Sequence, residues 1–371
     1  MASLKVVVVA GARPNFMKVA PILKVLETRS ECFPPVLVHT GQHYDHEMSA
    51  TFFRDLALQE PHHYLGIGSG THAEQVARAM LALEPVLEAE RPEWVVVVGD
   101  VNSTVAAAFT AVKMGIPTAH IEAGLRSYDR RMPEELNRVA TDSICDLLLT
   151  PSEDADANLR REGIPAERIV RVGNVMIDSI VAHLPAARAL RAWEGEGCGE
   201  RRYVLITLHR PSNVDAIEKL TQIIDALCEV ARDIPVLFPA HPRTAERLEL
   251  IRGHHRSKRL RIVRPMGYLA FLSVLSGARV VLTDSGGVQE ESSFLGIPCL
   301  TFRENTERPV TIERGTSRLI GTDARRIVPS IQESLQQELT GPRPIPLWDG
   351  HAADRIVASL LRARDDFKRG M

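Results

Sequence analysis

The sequence is poor in features that would assign it to several common protein classes. Its five cysteines stand singly among 371 residues without a C-x-x-C pair, which argues against a disulfide framework and a thiolate zinc site. Lys plus Arg number 45 against 47 Asp plus Glu, so no basic face for nucleic acid is expected. The cluster of His39, His43 and His46 does not form the zinc motif H-E-x-x-H, so no metal is predicted. A reducing cytoplasm is the expected location.

Long apolar runs are missing as well. No stretch approaches the ~18 apolar residues of a membrane-spanning helix. The apolar opening at residues 6–10 is much shorter than a signal-peptide core with its flanks. We therefore expect neither an export signal nor membrane insertion.

Short β-branched runs alternate with longer amphipathic stretches along the chain. The runs are continuously apolar, which is typical of parallel strands that helices cover on both faces. A segment rich in glycine and charge, W-E-G-E-G-C-G at 193–199, separates two sets of runs. The predicted strands are 5–10, 36–40, 94–98, 118–121, 147–150 and 169–172 in the first set, and 203–208, 236–239, 261–263, 280–283 and 299–302 in the second.

Two sets of similar size predict an α/β protein with two doubly wound, Rossmann-like domains, at 1–175 and 200–350. Ligands of such folds bind at the carboxyl ends of the strands, here in the cleft between the domains. A last helix at 351–371 fits either domain by its residues, and we expect it to pack back on the N-terminal domain.

Charged residues follow the predicted strands of the first half. Glu122 comes directly after an apolar run, in H-I-E-A-G-L-R-S-Y-D-R-R-M-P-E-E-L-N-R at 120–138, and Asp100 ends the run V-V-V-V-G-D. Asp100 could be an ordinary helix cap. If the two strands are neighbours, repulsion and desolvation would raise the pKa of one carboxyl group and suit the pair to acid and base roles.

The helix that follows offers a further acid. Glu134 and Arg138 stand at i and i+4, which also fits a simple helix-surface pair, and Glu135 is an alternative for the exposed carboxylate.

The first strand runs into G-A-R-P-N-F-M-K at 11–18. Gly11 permits a tight turn, and Arg13 and Lys18 bracket a helix start. These cations suit a phosphate group, or else they are solvated charges of an ordinary turn. The segment is not G-x-G-x-x-G, so no dinucleotide cofactor is predicted.

In the second half, L-T-D-S-G-G-V-Q-E-E at 282–291 follows a strand and opens a helix. The N–H groups of Ser285, Gly286 and Gly287, with the positive helix end, suit a phosphate. Glu290 and Glu291 lie one turn further on, where a carboxylate can accept both hydroxyl groups of a ribose or simply stabilise the helix start. The ligand interpretation is favoured because a Gly-Gly pair otherwise only weakens a helix.

Two histidines occupy matching positions after successive strands. His209 lies in L-H-R-P-S-N and His241 in F-P-A-H-P-R-T. A lone loop histidine is usually an incidental surface residue, whereas a matched pair favours ligand contact.

Taken in order, eight motifs resemble the non-hydrolysing UDP-N-acetylglucosamine 2-epimerases over nearly the whole chain. They are G-x-R-P, G-D at 99–100, H-I-E-A-G-L-R, P-E-E-x-N-R, H-R at 209–210, H-P-R-T, T-D-S-G-G-V-Q-E-E and R-E-N-T-E-R-P at 303–309. The resemblance implies the GT-B architecture, a homodimer, and an isomerase that uses neither metal nor nicotinamide.

The resemblance also implies a reaction, the reversible conversion of UDP-GlcNAc to UDP-ManNAc. The proton on sugar C2 has no neighbouring carbonyl to acidify it, so the family eliminates UDP in anti fashion to a 2-acetamidoglucal and then adds UDP back. Two differently placed acid/base groups and stabilisation of the leaving diphosphate are needed. The alternatives are a 2-epimerase of UDP-2,3-diacetamido uronic acid, a hydrolysing 2-epimerase, a GT-B glycosyltransferase, and a catalytically silent sensor of nucleotide sugars.

By resemblance, the acid/base set is Asp100, Glu122 and Glu134, with His209 beside the diphosphate and able to share in proton transfer. The implied substrate-binding residues are Arg13, Lys18, Arg138, His241, Phe271 in P-M-G-Y-L-A-F, Ser285, Gly286, Gly287 and Glu291. Among these, Phe271 matches the position whose backbone contacts uracil, and Glu291 matches the ribose contact. Arg126, Arg130 and Arg131 are expected to be loop or interface charges.

The chain departs from the family pattern in two places. Many members read R-P-E and H-R-x-E-N, where this chain has Asn15 and Phe16, and Pro211 and Ser212 before Asn213. Relatives reading A-R-P-x-F act on UDP-2,3-diacetamido uronic acids, so the substituents at C3 and C6 of the sugar stay open. Allosteric activation by UDP-GlcNAc stays open too.

Overall fold

The computed structural model describes residues 4–41, 53–251, 257–338 and 341–369. The chain divides into two compact units, of which the first comprises Met1–Ser179 with Pro346–Met371 and the second Ile180–Ile345. Each unit has its own parallel sheet, so the predicted α/β fold with two Rossmann-like domains is confirmed. None of the described helices is long and apolar enough to cross a membrane.

The sheet of the first unit has seven strands in the order β3-β2-β1-β4-β5-β6-β7. The strands are β1 Val6–Ala10, β2 Val36–His39, β3 His63–Tyr64, β4 Trp94–Val98, β5 Thr118–Ile121, β6 Leu147–Thr150 and β7 Ile169–Arg171. All residues of β1, β2, β4, β5 and β6 are buried. Helices on both faces explain why these strands are buried along their whole length.

Helices connect the strands of this unit as parallel crossovers require. They are α1 Arg13–Thr28, α2 His72–Glu90, α3 Asn102–Lys113, α4 Pro133–Ile144 and α5 Glu153–Arg161, with a 3₁₀ turn at Ala166–Arg168. The next helix, α6 Val175–Leu190, carries the chain from the first unit into the second.

The second unit has a six-stranded sheet in the order β10-β9-β8-β11-β12-β13. Its strands are β8 Val204–Thr207, β9 Val236–Pro239, β10 Leu260–Val263, β11 Val280–Thr283, β12 Cys299–Thr301 and β13 Ser317–Leu319. Its helices are α7 Ala192–Gly195, α8 Pro211–Val214, α9 Ile217–Asp233, α10 Pro242–Leu250, α11 Tyr268–Ser276, α12 Gly286–Leu295, α13 Val310–Glu313 and α14 Ile327–Gln336, with a 3₁₀ turn at Ala324–Arg326. Leu220, Ile223 and Leu227 form one buried stripe of α9, at the spacing that an amphipathic helix requires.

The last helix, α15 Ala352–Arg369, packs against α1 in the first unit. Its amino end is capped by Asp178, whose carboxylate accepts the N–H groups of Ala352 at 3.1 Å and Ala353 at 2.7 Å. Just before the helix, the indole Nε1 of Trp348 donates to the carbonyl of Pro151 at 3.1 Å. The C-terminal segment is therefore held on the first unit by hydrogen bonds to residues more than 170 positions earlier in the sequence.

Candidate active site

Two carboxylates leave neighbouring strands at one edge of the first sheet. Strands β4 and β5 pair in parallel with Val98 beside Ile121, so Asp100 and Glu122 follow adjacent strands, as predicted. Glu122 has a φ of 68°, in the left-handed region that residues with a Cβ rarely adopt. Such local strain is characteristic of functional sites.

Lys18 of α1 is the cationic partner of Glu122. Its Nζ forms a buried ion pair with Glu122 Oε2. A Cβ on Gly99 would lie 3.3 Å from Lys18 Nζ and 3.5 Å from Glu122 Oε2, so glycine leaves room for this pair. The second oxygen, Glu122 Oε1, is buried and accepts no hydrogen bond from the described residues. A buried acceptor left open in this way is suited to a ligand.

Asp100 has a different cation, Arg138 of α4. The Nε and Nη2 atoms of Arg138 lie 3.0 and 2.5 Å from Asp100 Oδ2, and its Nη1 lies 2.7 Å from Glu135 Oε2. Each of the two carboxylates is thus ion-paired with a cation of its own.

The two neighbouring glutamates of α4 have different environments. Glu135 is buried and accepts the N–H groups of Ser127 and Tyr128 at 2.8 and 2.9 Å. It is therefore not the exposed carboxylate, and it rather than Glu134 pairs with Arg138. The reason is that the loop before α4 turns its amides inward, where they need an acceptor. Glu134 is half-buried.

The turn between β1 and α1 is fixed by Asn15. Its Oδ1 accepts the N–H groups of Gly11 and Ala12 at 3.3 and 3.0 Å, and its Nδ2 donates to the carbonyl of Val98 at 2.9 Å. Asn15 thus joins this turn to the end of β4, just before Asp100. Arg13 is the first residue of α1, and its side chain lies outside the described part of the structure.

A buried charged network supports the same edge of the sheet. His120 of β5 is within 2.6 Å of Asp142 through Nδ1 and within 2.8 Å of the Gly99 carbonyl through Nε2. Asp142 also accepts the N–H of Gly124 at 3.0 Å. Burial alone would raise the pKa of Asp142, but His120 and Arg126 hold that pKa below its usual value. The network joins the turn after β4 to the turn after β5.

Arg126 belongs to this network. It is only 2% exposed and lies 2.7 Å from Asp142 Oδ2, with Glu162 on its other side at 2.6 Å. Arg126 lies in the loop after β5, within the predicted class of loop or interface charges, but it is buried between two acids instead of exposed. Arg130 and Arg131 are exposed. Sequence reasoning missed Asp142, whose only signal was its place in the helix after the P-E-E-L-N-R motif.

His39 lies in an aromatic stack instead of a polar cluster. Its ring is 4.9 Å from that of Phe16 and 5.0 Å from that of Tyr64. Burial lowers the pKa of His39 to about 4, so the ring is neutral near pH 7. His43 and His46 lie outside the described residues.

The edge of the second sheet carries a buried aspartate and two histidines. Strands β8 and β11 pair with Thr207 beside Thr283, which brings Asp284 next to His209. Asp284 is completely buried, and its Oδ1 lies 2.9 Å from His209 Nδ1. Burial would raise the pKa of Asp284, but hydrogen bonds from His209, Asn213 and Arg210 hold it below its usual value. The rings of His209 and His241 are 6.1 Å apart, so the structure brings the predicted histidines together.

Helix α12 begins without a side-chain cap. Ser285 is its N-cap residue and makes no capping side-chain bond. A Cβ on Gly286 would lie 2.3 Å from Arg308 Nη1 and 2.7 Å from Glu307 Oε1. A side chain at 286 would therefore displace the ends of Arg308 and Glu307, a reason for glycine that the motif alone did not reveal. Gly287, the second residue of α12, is half-buried.

The segment 303–309 contributes a buried ion-pair network to this helix end. Arg303 Nη2 lies 2.6 Å from Glu307 Oε2, and Arg308 Nη1 lies 2.5 Å from Glu307 Oε1. Arg308 Nε also lies 2.8 Å from Glu290 Oε1. The charge of Glu290 is thus compensated within the protein.

Glu291 is 3% exposed, and no Lys, Arg or His side chain within the described ranges forms an ion pair with it. Burial, and then the neighbouring Glu290, raise its pKa to about 8. Phe271 of α11 is half-buried, and its N–H donates to the Gly267 carbonyl at 2.9 Å. The N–H of Phe271 is therefore already engaged in the first turn of α11.

Comparison with known proteins places this architecture in one family. The family described as UDP-N-acetylglucosamine 2-epimerase matches residues 26–361. The UDP-N-acetylglucosamine 2-epimerase of Methanocaldococcus jannaschii is 40% identical over 365 residues, covering 96% of this chain and 99% of the relative. The UDP-2,3-diacetamido-2,3-dideoxy-D-glucuronate 2-epimerase of Pseudomonas aeruginosa is 39% identical over 366 residues, covering 97% of this chain and 100% of the relative.

A solved structure agrees with these sequence matches. The crystal structure of the M. jannaschii UDP-GlcNAc 2-epimerase in complex with UDP-GlcNAc and UDP superposes with a TM-score of 0.89 at 40% identity, covering 97% of this chain and 100% of that one. The fold is accordingly of the GT-B type. Matches of this length and identity show that the chain belongs to the UDP-N-acetylglucosamine 2-epimerase family.

Proposed function

We propose that this enzyme interconverts UDP-GlcNAc and UDP-ManNAc by inverting the configuration at C2 of the sugar. Family membership supports this proposal, as do the names of the relatives from M. jannaschii and Methanococcus maripaludis, which are 40% and 38% identical. The observation that carries it is the pair of acids on adjacent strands, Asp100 and Glu122, each ion-paired with a cation of its own.

The proposed chemistry is an elimination followed by an addition. A base removes the proton from C2, the C1–O bond breaks, and UDP departs with the bonding electrons, leaving a C1=C2 double bond. An acid then protonates C2 from the opposite face as an oxygen of the UDP β-phosphate attacks C1. Asp100, Glu122 and Glu134 form the proposed acid/base set, because two faces of C2 need two differently placed groups. The open acceptor Glu122 Oε1 is available for one of these transfers.

Two sets of groups are proposed to hold the nucleotide. The uncapped amino end of α12 at 285–287 offers N–H groups and a positive dipole to the diphosphate. Arg13, Lys18, Arg138 and His241 are the further proposed phosphate or sugar contacts. Glu291 is the proposed partner of the ribose hydroxyl groups, Phe271 that of uracil, and His209 lies beside the diphosphate in this proposal.

A second substrate is favoured by two observations. The P. aeruginosa relative named for UDP-2,3-diacetamido-2,3-dideoxy-D-glucuronate is 39% identical, about the same as the relatives named for UDP-GlcNAc. Asn15 and Phe16 also depart from the R-P-E pattern of many UDP-GlcNAc enzymes. UDP-2,3-diacetamido uronic acid is therefore the alternative substrate.

We further propose a homodimer that works in the cytoplasm. Apolar side chains are exposed on α2, α3 and α4, where Leu81 is 72% exposed and Phe109 45%. Helix α2 contacts α3 and α3 contacts α4, so these side chains stand on neighbouring helices, as a protein interface requires. The five free cysteines fit a reducing compartment.

The decisive experiment is a proton NMR assay in D₂O with UDP-GlcNAc and UDP-2,3-diacetamido uronic acid in parallel. The proposal predicts deuterium at C2 of recovered UDP-GlcNAc together with resonances of UDP-ManNAc. If the enzyme binds UDP-GlcNAc but exchanges the C2 proton of the uronic acid only, UDP-2,3-diacetamido uronic acid is its substrate. Release of free ManNAc and UDP would identify a hydrolysing enzyme, and an untouched C2 in both sugars would contradict epimerisation altogether.

A further inference from the structure

We propose that Asp284 is a positioning residue that holds the ring of His209 with Nδ1 protonated and Nε2 as its reactive nitrogen. The use of Nε2 in proton transfer rests on the proposed epimerase reaction, whereas the orientation of the ring does not. Asp284, His209 and the residues that contact them all belong to the second unit.

Strand pairing brings the two residues together. Thr207 and Thr283 are register partners in β8 and β11, and their hydroxyl groups are 2.6 Å apart. One residue further on, the N–H of Asp284 donates to the carbonyl of Thr207 at 3.1 Å. Asp284 is therefore fixed by the sheet itself, and His209 follows the adjacent strand by two residues.

The Asp284 carboxylate is surrounded by donors. Oδ2 accepts the N–H of Arg210 at 2.9 Å and Nδ2 of Asn213 at 3.0 Å. Both oxygens lie 3.1 Å from the N–H of His209, and Oδ1 lies 2.9 Å from its Nδ1. A carboxylate facing this many donors is ionised and can only accept, so the ring must donate from Nδ1.

The hydrogen bond at Nδ1 also decides the state of Nε2, on the opposite edge of the His209 ring. With the proton on Nδ1, the neutral imidazole keeps a lone pair on Nε2, which can accept a proton and return it. The His209 side chain is 44% exposed while that of Asp284 is 0% exposed. The ring is therefore held by a buried carboxylate at Nδ1 and is partly open to solvent. The same carboxylate also holds the backbone of residues 209–210, so that the ring and the loop carrying it are fixed by one group.

The test combines a spectroscopic and a kinetic measurement on the full-length protein. Protein labelled with ¹⁵N-histidine is recorded by long-range ¹H–¹⁵N NMR, with His209→Asn used to assign the signal. We expect wild type to show a protonated Nδ1 and an unprotonated Nε2 at His209 when the ring is neutral. Asp284→Asn should move this signal toward the other tautomer, because an amide can donate to Nδ1.

The kinetic arm uses UDP-GlcNAc as the probe. Asp284→Asn should lower kcat by roughly tenfold or more with KM within about threefold, since general acid/base groups contribute on the order of 10² to 10⁴ in rate. In the double variant with His209→Asn, the second change should add little, because both act through one ring. The matched control is Asp225→Asn, the same chemical change at an exposed site on α9, which should leave kcat unchanged.

Each outcome decides the proposal. A wild-type His209 signal with the proton on Nε2 overturns it, even if Asp284→Asn fails to fold. So does an Asp284→Asn enzyme with unchanged His209 signals and unchanged kcat. Wild-type enzyme without epimerase activity but with the expected tautomer would instead overturn the proposed function and leave the ring assignment supported.

Discussion

At the scale of single residues, Glu122 combines two unfavourable features. Its backbone is in the left-handed region, and its carboxylate is buried with one oxygen open. The first feature costs on the order of 1 kcal/mol for a residue with a Cβ. Lys18 offsets the second by placing a buried cation next to Oε2. A glycine here would relieve the strain, and the glutamate that occupies the position instead fits the proposed proton transfer.

Replacing Glu122 by glutamine should separate catalysis from binding. Glu122→Gln keeps the shape of the side chain but removes its negative charge, so we expect C2 exchange in D₂O to be lost. UDP affinity should stay within roughly tenfold, or about 1.4 kcal/mol. Leaving Lys18 buried without its anion should also cost about 3 kcal/mol of stability, measurable by urea unfolding. Glu84→Gln, at an exposed position of α2, is the matched control. Exchange at the wild-type rate in Glu122→Gln would remove Glu122 from the acid/base set.

The sequence predicts the place of the charged residues better than their partners. Glu122, Asp100 and His209 all follow strands that continuous apolar runs identified correctly. The partners come from elsewhere in the chain, since Lys18 is 104 residues from Glu122 and Asp284 is 75 from His209. No periodicity carries that information, because the partner is set by which strands become neighbours in the sheet.

At the scale of elements, the strands that sequence reasoning missed are the short ones at sheet edges. Strand β3 is only His63–Tyr64, and β13 is only Ser317–Leu319. An edge strand has one neighbour and remains partly exposed, so it lacks the long apolar run of a central strand. Central strands such as β4 Trp94–Val98 and β11 Val280–Thr283 were predicted with their observed bounds.

The amino end of α12 gives a prediction at this scale. Alanine is ordinarily better than glycine in a helix by about 1 kcal/mol. Gly286→Ala should nevertheless be destabilising by roughly 1 to 3 kcal/mol, because its Cβ would displace the buried Arg308 from Glu307. We expect a lower urea midpoint and weaker UDP binding in calorimetry.

Gly195 provides the comparison for this substitution. It lies at the end of α7, where an added Cβ meets nothing within 4 Å. Gly195→Ala should therefore leave stability unchanged or slightly raised. If Gly286→Ala behaves the same way, Arg308 moves aside at no cost and the ion pairs of segment 303–309 do not shape the helix end.

At the scale of the whole molecule, the two units differ in how the chain builds them. The second unit is one continuous segment, Ile180–Ile345, whereas the first needs both Met1–Ser179 and Pro346–Met371. The C-terminal segment is an integral part of the first unit, because Trp348 and α15 make buried contacts with residues before 180. The core of the first unit is therefore complete only when the whole chain has been made, and the second unit can form earlier.

The pH dependence of unfolding of the second unit follows from Glu291. Burial, and then Glu290, raise the pKa of Glu291 in the folded protein from 4.5 to about 8. Between pH 4.5 and pH 8 the folded protein therefore keeps a proton on Glu291 that the unfolded protein has lost. The contribution of protonated Glu291 to the free energy of unfolding is fully present below about pH 4.5. This contribution, on the order of a few kcal/mol, is lost as the pH rises through about 8. Urea unfolding of wild type should therefore show a larger loss of stability from pH 6 to 9 than unfolding of Glu291→Gln, which has no proton to lose. Glu246→Gln, at an exposed position of α10, should follow wild type. Identical pH profiles for wild type and Glu291→Gln would mean that Glu291 is already ionised in the folded protein.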